Sequence, residues 1–173
     1  MAERALGEDK APVTMIEYAS LGCSHCATFH RDTLPNIKKT YIDTGRVRLI
    51  FRDFPLGGPA LAATMVARCA PRSQYFGLIE VLFREQSRWA QSQKPIEELE
   101  RIGRMAGMSK DDVEACLGSQ PLLTAVRAVA QEGKEKHGVD STPTFVIDGK
   151  THPGALPYEE FQKLLDAALK KKQ

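Results

Sequence analysis

The chain has 173 residues, of which 42% are hydrophobic and 27% are charged, and its formal net charge at pH 7 is +2. This length and composition indicate one folded domain, or one domain with a large insertion, and exclude a disordered chain. The small net charge gives no reason to expect a nucleic acid or a membrane surface as partner, and no apolar run reaches the 18 residues or so of a membrane span.

The N-terminus carries no recognisable targeting signal. Its first twelve residues, MAERALGEDKAP, contain no apolar stretch of signal-peptide length. We therefore expect either a cytosolic protein or a mature form whose signal peptide has been removed and replaced by a start Met. We also expect no room for a further domain before the first strand.

The first predicted elements form a β-α-β unit. Residues 13–20, VTMIEYAS, are apolar and β-leaning, which predicts a buried strand. From Ser24 to about Tyr41, apolar residues recur every three or four positions and predict a helix, which Pro35 should kink. Residues 44–55 begin at a Gly turn and alternate apolar residues with arginines, which predicts a second strand. This compact unit is typical of a parallel sheet.

The middle of the chain, residues 59–137, shows helical periodicity and no convincing strand. Residues 74–90 predict one amphipathic helix, with the Trp89 side chain used for packing. Ser109 is predicted to be an N-cap with Asp112 at the third helical position, and Gly118 is a C-cap candidate for the same helix. About 80 residues of helix are thus predicted to interrupt a strand-based domain.

Strand patterns return near the C-terminus. Residues 142–149, TPTFVIDG, predict a strand, and a tight turn at 149–150 leads to a short antiparallel partner in 151–154. The last residues predict an amphipathic helix that ends in a solvated lysine tail. Its predicted apolar face consists of Phe161, Leu164, Leu165 and Ala168.

These elements predict an α/β protein built from a discontinuous sheet domain and an inserted helical domain. We expect the sheet domain to comprise residues 1–58 and 139–173 and the helical domain to comprise residues 59–138.

A pair of cysteines stands out in EYASLGCSHCATFH, residues 17–30. Such a pair can be a structural disulfide, part of a metal site or a redox centre. A disulfide between Cys23 and Cys26 would close a tight loop and would therefore stabilise the fold little. With His30 the pair would offer three zinc ligands, but a fourth ligand and a second CxxC are missing, so we expect His30 to be an ordinary helix residue.

A redox centre fits the predicted position of the pair best. The first strand gives way to the first helix between Leu21 and Ser24, which places Cys23 at the helix N-terminus. The unpaired backbone N–H groups there favour the thiolate, and His25 can add a positive or hydrogen-bonding partner. Cys26 follows on the same helical face, deeper in the protein. A lowered pKa of Cys23 stabilises the reduced form and makes the disulfide a stronger oxidant.

Pro143 supplies the second half of the predicted site. It begins a strand directly after a turn and is therefore a candidate for a cis peptide bond. Proline has no N–H to donate to the sulfurs, and the bend would bring the Thr142 backbone to the cysteines. An open strand edge there could pair with a substrate peptide. The residues expected to contact that peptide are Leu21, Gly22, Ser24 and Thr142.

The two remaining cysteines, Cys69 and Cys116, lie on different predicted helices. They could form a structural disulfide that ties the helical insert together, or they could be two inert buried thiols. A disulfide here would support an oxidising compartment.

A CxxC pair at a strand-to-helix junction, followed by a helical insert and then TPTFVIDG, resembles the thioredoxin fold and, within it, the DsbA family of bacterial thiol–disulfide oxidoreductases. The resemblance covers about residues 13–170. It implies a central mixed sheet flanked by helices, with an inserted all-helical domain. It also implies that Cys23 is the attacking cysteine, Cys26 the resolving cysteine and Pro143 the cis-proline. Glu17 matches the acidic residue that lies beneath the site and helps to move the Cys26 proton.

Two residues depart from the family pattern. Ser24 stands where the usual Cys-Pro-His-Cys motif has Pro, and Thr142 replaces the Val that precedes the cis-proline in the best-known oxidases. A Thr at that position is seen in related isomerases. The resemblance therefore implies an enzyme that introduces disulfides, with an isomerase or a thioredoxin- or glutathione-linked reductase as the alternative. A non-catalytic, chaperone-like binding module is a further alternative.

The resemblance also implies partners and a location. Substrates would be reduced, unfolded polypeptides, and a membrane quinone-linked, DsbB-like protein would reoxidise the pair. No cofactor or metal is expected beyond the redox-active Cys23–Cys26 disulfide, and no nucleic acid is expected as partner. We expect a monomer in the periplasm, with the cytoplasm as the alternative location.

Overall fold

The computed structural model describes residues 1–172 and contains a five-stranded mixed sheet in the order β1-β3-β2-β4-β5. The parallel pair is β2 with β3, and the other three neighbouring pairs are antiparallel. This arrangement confirms the predicted α/β class with a central mixed sheet. The strands are β1 (Arg4–Leu6), β2 (Val13–Ala19), β3 (Val47–Asp53), β4 (Thr144–Ile147) and β5 (Lys150–Pro153).

The connection from β2 to β3 is a helix in which α-helical and π-helical segments alternate. Pro35 is the second residue of an α-helical segment, and that segment directly follows a π-helical one. The missing proline N–H is thus accommodated where the helix widens, at the point where the sequence predicted a kink. The segments are α1 (Ser24–Thr28), a π-helix (Phe29–Thr33), α2 (Leu34–Ile37) and a second π-helix (Lys38–Ile42).

A helical block follows β3, and a last helix follows the β4–β5 hairpin. The predicted capping box of one block helix is present, since Ser109 and Asp112 each accept a hydrogen bond from the other's backbone N–H. The helical block consists of α3 (Gly58–Cys69), a 3₁₀ turn (Arg72–Gln74), α4 (Tyr75–Arg84), α5 (Gln86–Ala90), α6 (Pro95–Met105), α7 (Lys110–Leu117) and α8 (Gln120–His137). The last helix is α9 (Tyr158–Lys170).

The prediction of one uninterrupted helix over residues 74–90 is wrong, because the chain forms two helices there. The chain leaves helical geometry at Glu85, which separates α4 from α5. The indole N–H of the fully buried Trp89 donates a hydrogen bond to the Leu82 carbonyl at 2.8 Å. A buried indole N–H needs such a partner, and the break leaves the carbonyl available to it. Periodicity alone does not reveal a break this short.

Strand β1 was not predicted, because three residues reading RAL show no alternation. It lies at the sheet edge with Arg4 opposite Phe51. The Arg4 guanidinium lies over the Tyr75 ring, 4.9 Å from its centre, and Arg68 donates a hydrogen bond to the Ala2 carbonyl at 2.9 Å. Contacts with distant parts of the chain therefore hold this strand in place.

The sheet is covered on both faces. The side chains of Met15 and Ala19 point to the face covered by the first helix, by α9 and, near the cysteines, by the helical block. Tyr18 points to the opposite face, which is covered by α8 and Val139. Glu17 lies on the first face and is fully buried, as the sequence predicted.

The closing helix α9 buries most of its predicted apolar face. Phe161, Leu165 and Ala168 are buried, whereas Leu164 is half-buried. The lysines of the predicted solvated tail are exposed as far as Lys172, and Gln173 lies outside the described residues. None of the helices in residues 1–172 has the length and apolar character needed to cross a bilayer.

Candidate active site

A turn at the end of β2 places Cys23 at the start of α1. The buried Ser20 hydroxyl accepts hydrogen bonds from the N–H groups of Gly22 at 3.3 Å and Leu56 at 3.1 Å, and the Ser20 carbonyl accepts one from Cys23 N–H at 3.0 Å. Cys23 is the N-cap residue, with an extended backbone, and its carbonyl accepts the N–H of Ala27 at 3.1 Å. The Cys23 side chain therefore lies where the first-turn N–H groups have no helical partner.

The two cysteines of the motif are free thiols that differ in exposure. Cys23 is partly exposed, whereas Cys26, one helical turn further on, is fully buried. Only the Cys23 sulfur is thus open to attack from outside the protein.

Hydrogen bonding lowers the pKa of Cys23 to about 5. The largest cause is the hydrogen bond from the Cys26 thiol; burial opposes the shift, and the backbone N–H groups of Cys26 and His25 add to it. Each of these donors favours the thiolate over the thiol. At neutral pH the outer cysteine is therefore ionised.

Burial raises the pKa of the Cys26 thiol far above its ordinary value. The hydrogen bond with Cys23 and the negative charge of Glu17 act in the same direction. The inner cysteine therefore holds its proton at every physiological pH, although its partner three residues earlier does not.

Thr142 and Pro143, which directly precede strand β4, lie next to the Cys23 sulfur. The Thr142–Pro143 peptide bond is cis, and the Thr142 carbonyl lies 3.2 Å from Cys23 Sγ, where it accepts a hydrogen bond from the thiol form. The Thr142 hydroxyl is buried and has no partner in the part of the chain that the structure describes. These contacts join two segments that lie 119 residues apart in the sequence.

The residues expected to contact a substrate differ in their exposure. Gly22, Ser24 and His25 are exposed around Cys23. Leu21 is 1% exposed and its side chain packs in the core, so the expected contact of a peptide near Leu21 stays a prediction that would involve its backbone. The His25 effect on Cys23 comes from its backbone N–H rather than its imidazole, and a role for that ring stays a prediction.

Two residues beside the active-site turn were not among the expected site residues. The Gln86 side-chain amide, on α5, donates hydrogen bonds to the carbonyls of Leu21 at 2.6 Å and Cys23 at 3.0 Å. Leu56, in the loop after β3, is held against the turn by Ser20 and is 51% exposed. No local pattern marks Gln86, because its contact depends on how the helical block packs on the turn.

His30 is a third residue whose environment the sequence reasoning missed. Its Nε2 lies 3.0 Å from each carboxylate oxygen of Glu17, and both side chains are buried. One signal could have indicated this: Cys23, Cys26 and His30 are spaced three and four apart, which places them on one helix face. That face also carries the buried cysteine.

The two cysteines outside the CxxC motif are paired with each other, and the described residues offer no metal site. Cys69 at the end of α3 and Cys116 in α7 form a disulfide. Within residues 1–172 there is no group of three or more His, Cys, Asp or Glu side chains placed to hold a metal ion.

A mixed sheet, a helical block between its β3 and β4 strands and a dithiol facing a cis-proline define this chain as a thioredoxin-fold dithiol protein. The family model described as thioredoxin matches residues 1–167. The chain therefore belongs to the thioredoxin family, and its relatives place it in the DsbA-like branch.

The similar proteins include a crystal structure of Wolbachia pipientis alpha-DsbA1, with 32% sequence identity and a TM-score of 0.90, covering 98% of this chain and 92% of that one. The Bacillus subtilis disulfide bond formation protein D is 27% identical over 180 residues, 96% of this chain and 77% of that protein. A Rickettsia prowazekii protein named as a protein-disulfide oxidoreductase is 30% identical over 168 residues. The chain spans 55–62% of the length of the rickettsial relatives that it matches.

Proposed function

We propose that this chain is an enzyme, a protein-disulfide oxidoreductase that introduces disulfides into secreted or periplasmic proteins through Cys23-Ser24-His25-Cys26. The observation that carries the proposal is the contrast between its two thiols. Cys23 is accessible and has a pKa of about 5, whereas Cys26 is buried and keeps its proton. A reduced form stabilised in this way corresponds to a disulfide that oxidises other thiols.

The first step is attack of a substrate thiolate on Cys23 Sγ of the oxidised enzyme. A bond forms between the substrate sulfur and Cys23, the Cys23–Cys26 bond breaks, and Cys26 leaves as a thiolate that takes up a proton. Attack falls on Cys23 because Cys26 is fully buried. Protonation of Cys26 prevents it from returning to the mixed disulfide.

The second step releases the product. A second substrate thiolate attacks the substrate sulfur of the mixed disulfide, and Cys23 leaves as a thiolate. The substrate has lost two electrons to the enzyme and now holds the new disulfide. A thiol of low pKa is a good leaving group, so the lowered pKa of Cys23 speeds this step.

A substrate peptide would lie between the Thr142 backbone and the exposed part of the active-site turn. Gly22, Ser24 and His25 are exposed there, and Leu56 adds an exposed apolar side chain. Pro143 contributes no N–H donor at this edge. Glu17 would act beneath the site, where its charge reaches Cys26.

The remaining proposals concern the surroundings of the enzyme. Reduced, unfolded polypeptides would be its substrates, and a membrane quinone-linked protein would accept the two electrons and restore the disulfide. The Cys69–Cys116 disulfide supports an oxidising compartment such as the periplasm. We propose residues 59–138 as a helical domain inserted into the thioredoxin-like domain formed by 1–58 and 139–173.

Oxidative refolding of a reduced, unfolded protein tests the proposal. The oxidised enzyme should accelerate disulfide formation, and Cys23→Ala should reduce the rate to that of the uncatalysed reaction because the attacked sulfur is gone. A variant with both Cys69→Ala and Cys116→Ala serves as a matched control and should keep the activity. Full activity in Cys23→Ala would overturn the proposal and would favour a chaperone-like module.

Thr142 before the cis-proline is the observation that favours isomerase activity as a second candidate. Refolding of a protein with scrambled disulfides measures this activity directly. The reduction potential separates an oxidase from a reductase, because the reduction potentials of proteins with this fold range from about −270 mV for the reductant thioredoxin to about −120 mV for the oxidant DsbA. We expect a value nearer the second.

A further inference from the structure

His30 is a buried imidazole to which the exchange steps above give no role. Its ring is packed by three aromatic rings, with centres 4.5 Å away for Phe83, 5.5 Å for Phe29 and 5.9 Å for Phe51. Its Nε2 is within 3.0 Å of both carboxylate oxygens of Glu17. An imidazole held in one orientation against a carboxylate is a common arrangement for moving protons.

The exchange reaction needs a proton at a place that solvent does not reach. Cys26 leaves the disulfide as a thiolate and must be protonated, yet its side chain is fully buried. Glu17 is close enough for its charge to act on Cys26, but it is fully buried as well. Among residues 1–172, His30 is the side chain that hydrogen-bonds the Glu17 carboxylate.

A cavity next to His30 provides contact with solvent. It has a volume of about 390 Å³ and lies between the first helix and α4. His30 is 9% exposed and forms part of its wall. Arg31, Glu80 and Arg84 also line this cavity and are exposed, so water reaches it from outside.

We propose, on the basis of the function proposed above, that His30 connects the Glu17 carboxylate with the water of this cavity and so carries the proton that Cys26 takes up. His30 gives the proton on Nε2 to the Glu17 carboxylate, the Glu17 carboxyl group passes a proton to the Cys26 thiolate, and His30 Nδ1 takes up a proton from cavity water. One proton thus moves from water to sulfur, and no electrons are transferred along the path. Reoxidation of the pair runs the path in reverse.

His30 is a positioning residue in this scheme, because it acts on Cys26 through Glu17 and touches no reacting sulfur. The charged groups that contact its ring or line the cavity beside it come from three elements. They are Glu17 from β2, Arg31 from its own helix, and Glu80 and Arg84 from α4.

Chemical rescue tests the proposal. His30→Ala opens space next to the cavity, into which a small base can diffuse. In single-turnover reduction of the oxidised enzyme by a reduced peptide, we expect the variant to be slower by about tenfold or more, a modest share of what general acid–base catalysis contributes. Added imidazole should restore the rate. Pyrazole has the same shape but is a far weaker base, and it should not.

Two further variants separate proton transfer from packing. His30→Gln keeps an N–H donor toward Glu17 but cannot carry a proton, so it should be as slow as His30→Ala while thermal denaturation shows it to be folded. Arg31→Gln, at the exposed rim of the cavity, should keep the wild-type rate.

The proposal fails if His30→Gln reacts at the wild-type rate, or if pyrazole restores His30→Ala as well as imidazole does. Ultraviolet titration should give the same Cys23 pKa in all these proteins, which assigns any loss of rate to the Cys26 side. Failure of the proposed function is a separate result, because it would appear as an active Cys23→Ala variant.

Discussion

Cys23 and Cys26 are the same chemical group in two environments that push their pKa values apart. Cys23 receives hydrogen bonds from the Cys26 thiol and from backbone N–H groups, whereas Cys26 is enclosed in apolar surroundings with Glu17 nearby. Ionising the outer sulfur is therefore favourable and ionising the inner one is not. This difference between two single residues would set the direction of the proposed exchange reaction.

The reduced protein should become more stable relative to the oxidised protein as pH rises from about 5 to about 9. Folding lowers the pKa of Cys23 from 9.0 to about 5, so the folded thiol releases its proton first. The stabilisation of the reduced protein by the Cys23 thiolate is therefore complete above pH 9, the pKa of Cys23 in the unfolded chain. It is lost as the pH falls from there towards the folded-state pKa of about 5, and it is absent below that value. Cys26, whose pKa is raised, keeps its proton in the folded protein, and its ionisation in the unfolded chain, where the pKa is 9.0, opposes this trend only at the upper end of the window.

Denaturant unfolding of both redox forms at several pH values measures this difference. In the Cys23→Ala variant, which cannot form the disulfide, the free energy of unfolding should lack the component that grows between pH 5 and 9. A reduced–oxidised difference that does not change with pH would contradict the assigned thiolate.

At the scale of elements, the close approach of α8 to β2 depends on one glycine. A Cβ at Gly133 would lie 2.6 Å from Cε1 of Tyr18, whose ring is buried. Tyr18 is also held between Phe54 and His137, whose ring centres are 6.5 and 5.9 Å away. The ring therefore cannot move aside easily, and α8 can only pack this closely with glycine at this position.

Gly133→Ala should lower the free energy of unfolding by about 1–3 kcal/mol, the usual effect of overpacking. Gly77→Ala is the matched control, because Gly77 lies in α4, is exposed, and an added Cβ meets nothing within 4 Å. That change should stabilise the protein by up to about 1 kcal/mol, because alanine is the better helix former. Denaturant titrations of the two variants provide the comparison, and equal effects would argue against the predicted clash.

The whole molecule is held together by contacts between the helical block and the sheet. Gln86 connects α5 with the active-site turn, and the buried ion pair of Arg68 on α3 with Asp53 at the end of β3 connects the block with the sheet. The Cys69–Cys116 disulfide acts within the block, where it joins α3 to α7. The block therefore supports the active site without containing its reacting sulfurs.

Replacing Cys69 and Cys116 together by alanine should destabilise the protein while leaving its activity intact. The disulfide joins residues 47 apart in the sequence, and closing a loop of that length is worth about 4 kcal/mol in the chain-entropy model. For a protein of this size, each kcal/mol corresponds to about 2–4 °C in Tm.

Thermal denaturation and the oxidative refolding assay check the two parts of this expectation on the same samples. A variant as stable as the parent would show that the disulfide is not a significant constraint on the unfolded chain. A large loss of refolding activity in a folded variant would show that the disulfide affects the active site.

The sequence by itself determined the features that depend on neighbouring residues. The strand and helix patterns, the Ser109–Asp112 capping box and the place of Cys23 at a helix start all follow from local spacing and turn chemistry. The CxxC pair and Pro143 could be connected through the family resemblance, although they are far apart in the chain.

Only the tertiary structure decided which distant groups meet. It pairs His30 with Glu17, brings Gln86 to the turn, buries Leu21 and adds β1 to the sheet edge. The physical reason is that burial and hydrogen-bond partners depend on how whole elements pack, and residue spacing along one helix or strand carries no information about the other side of the contact.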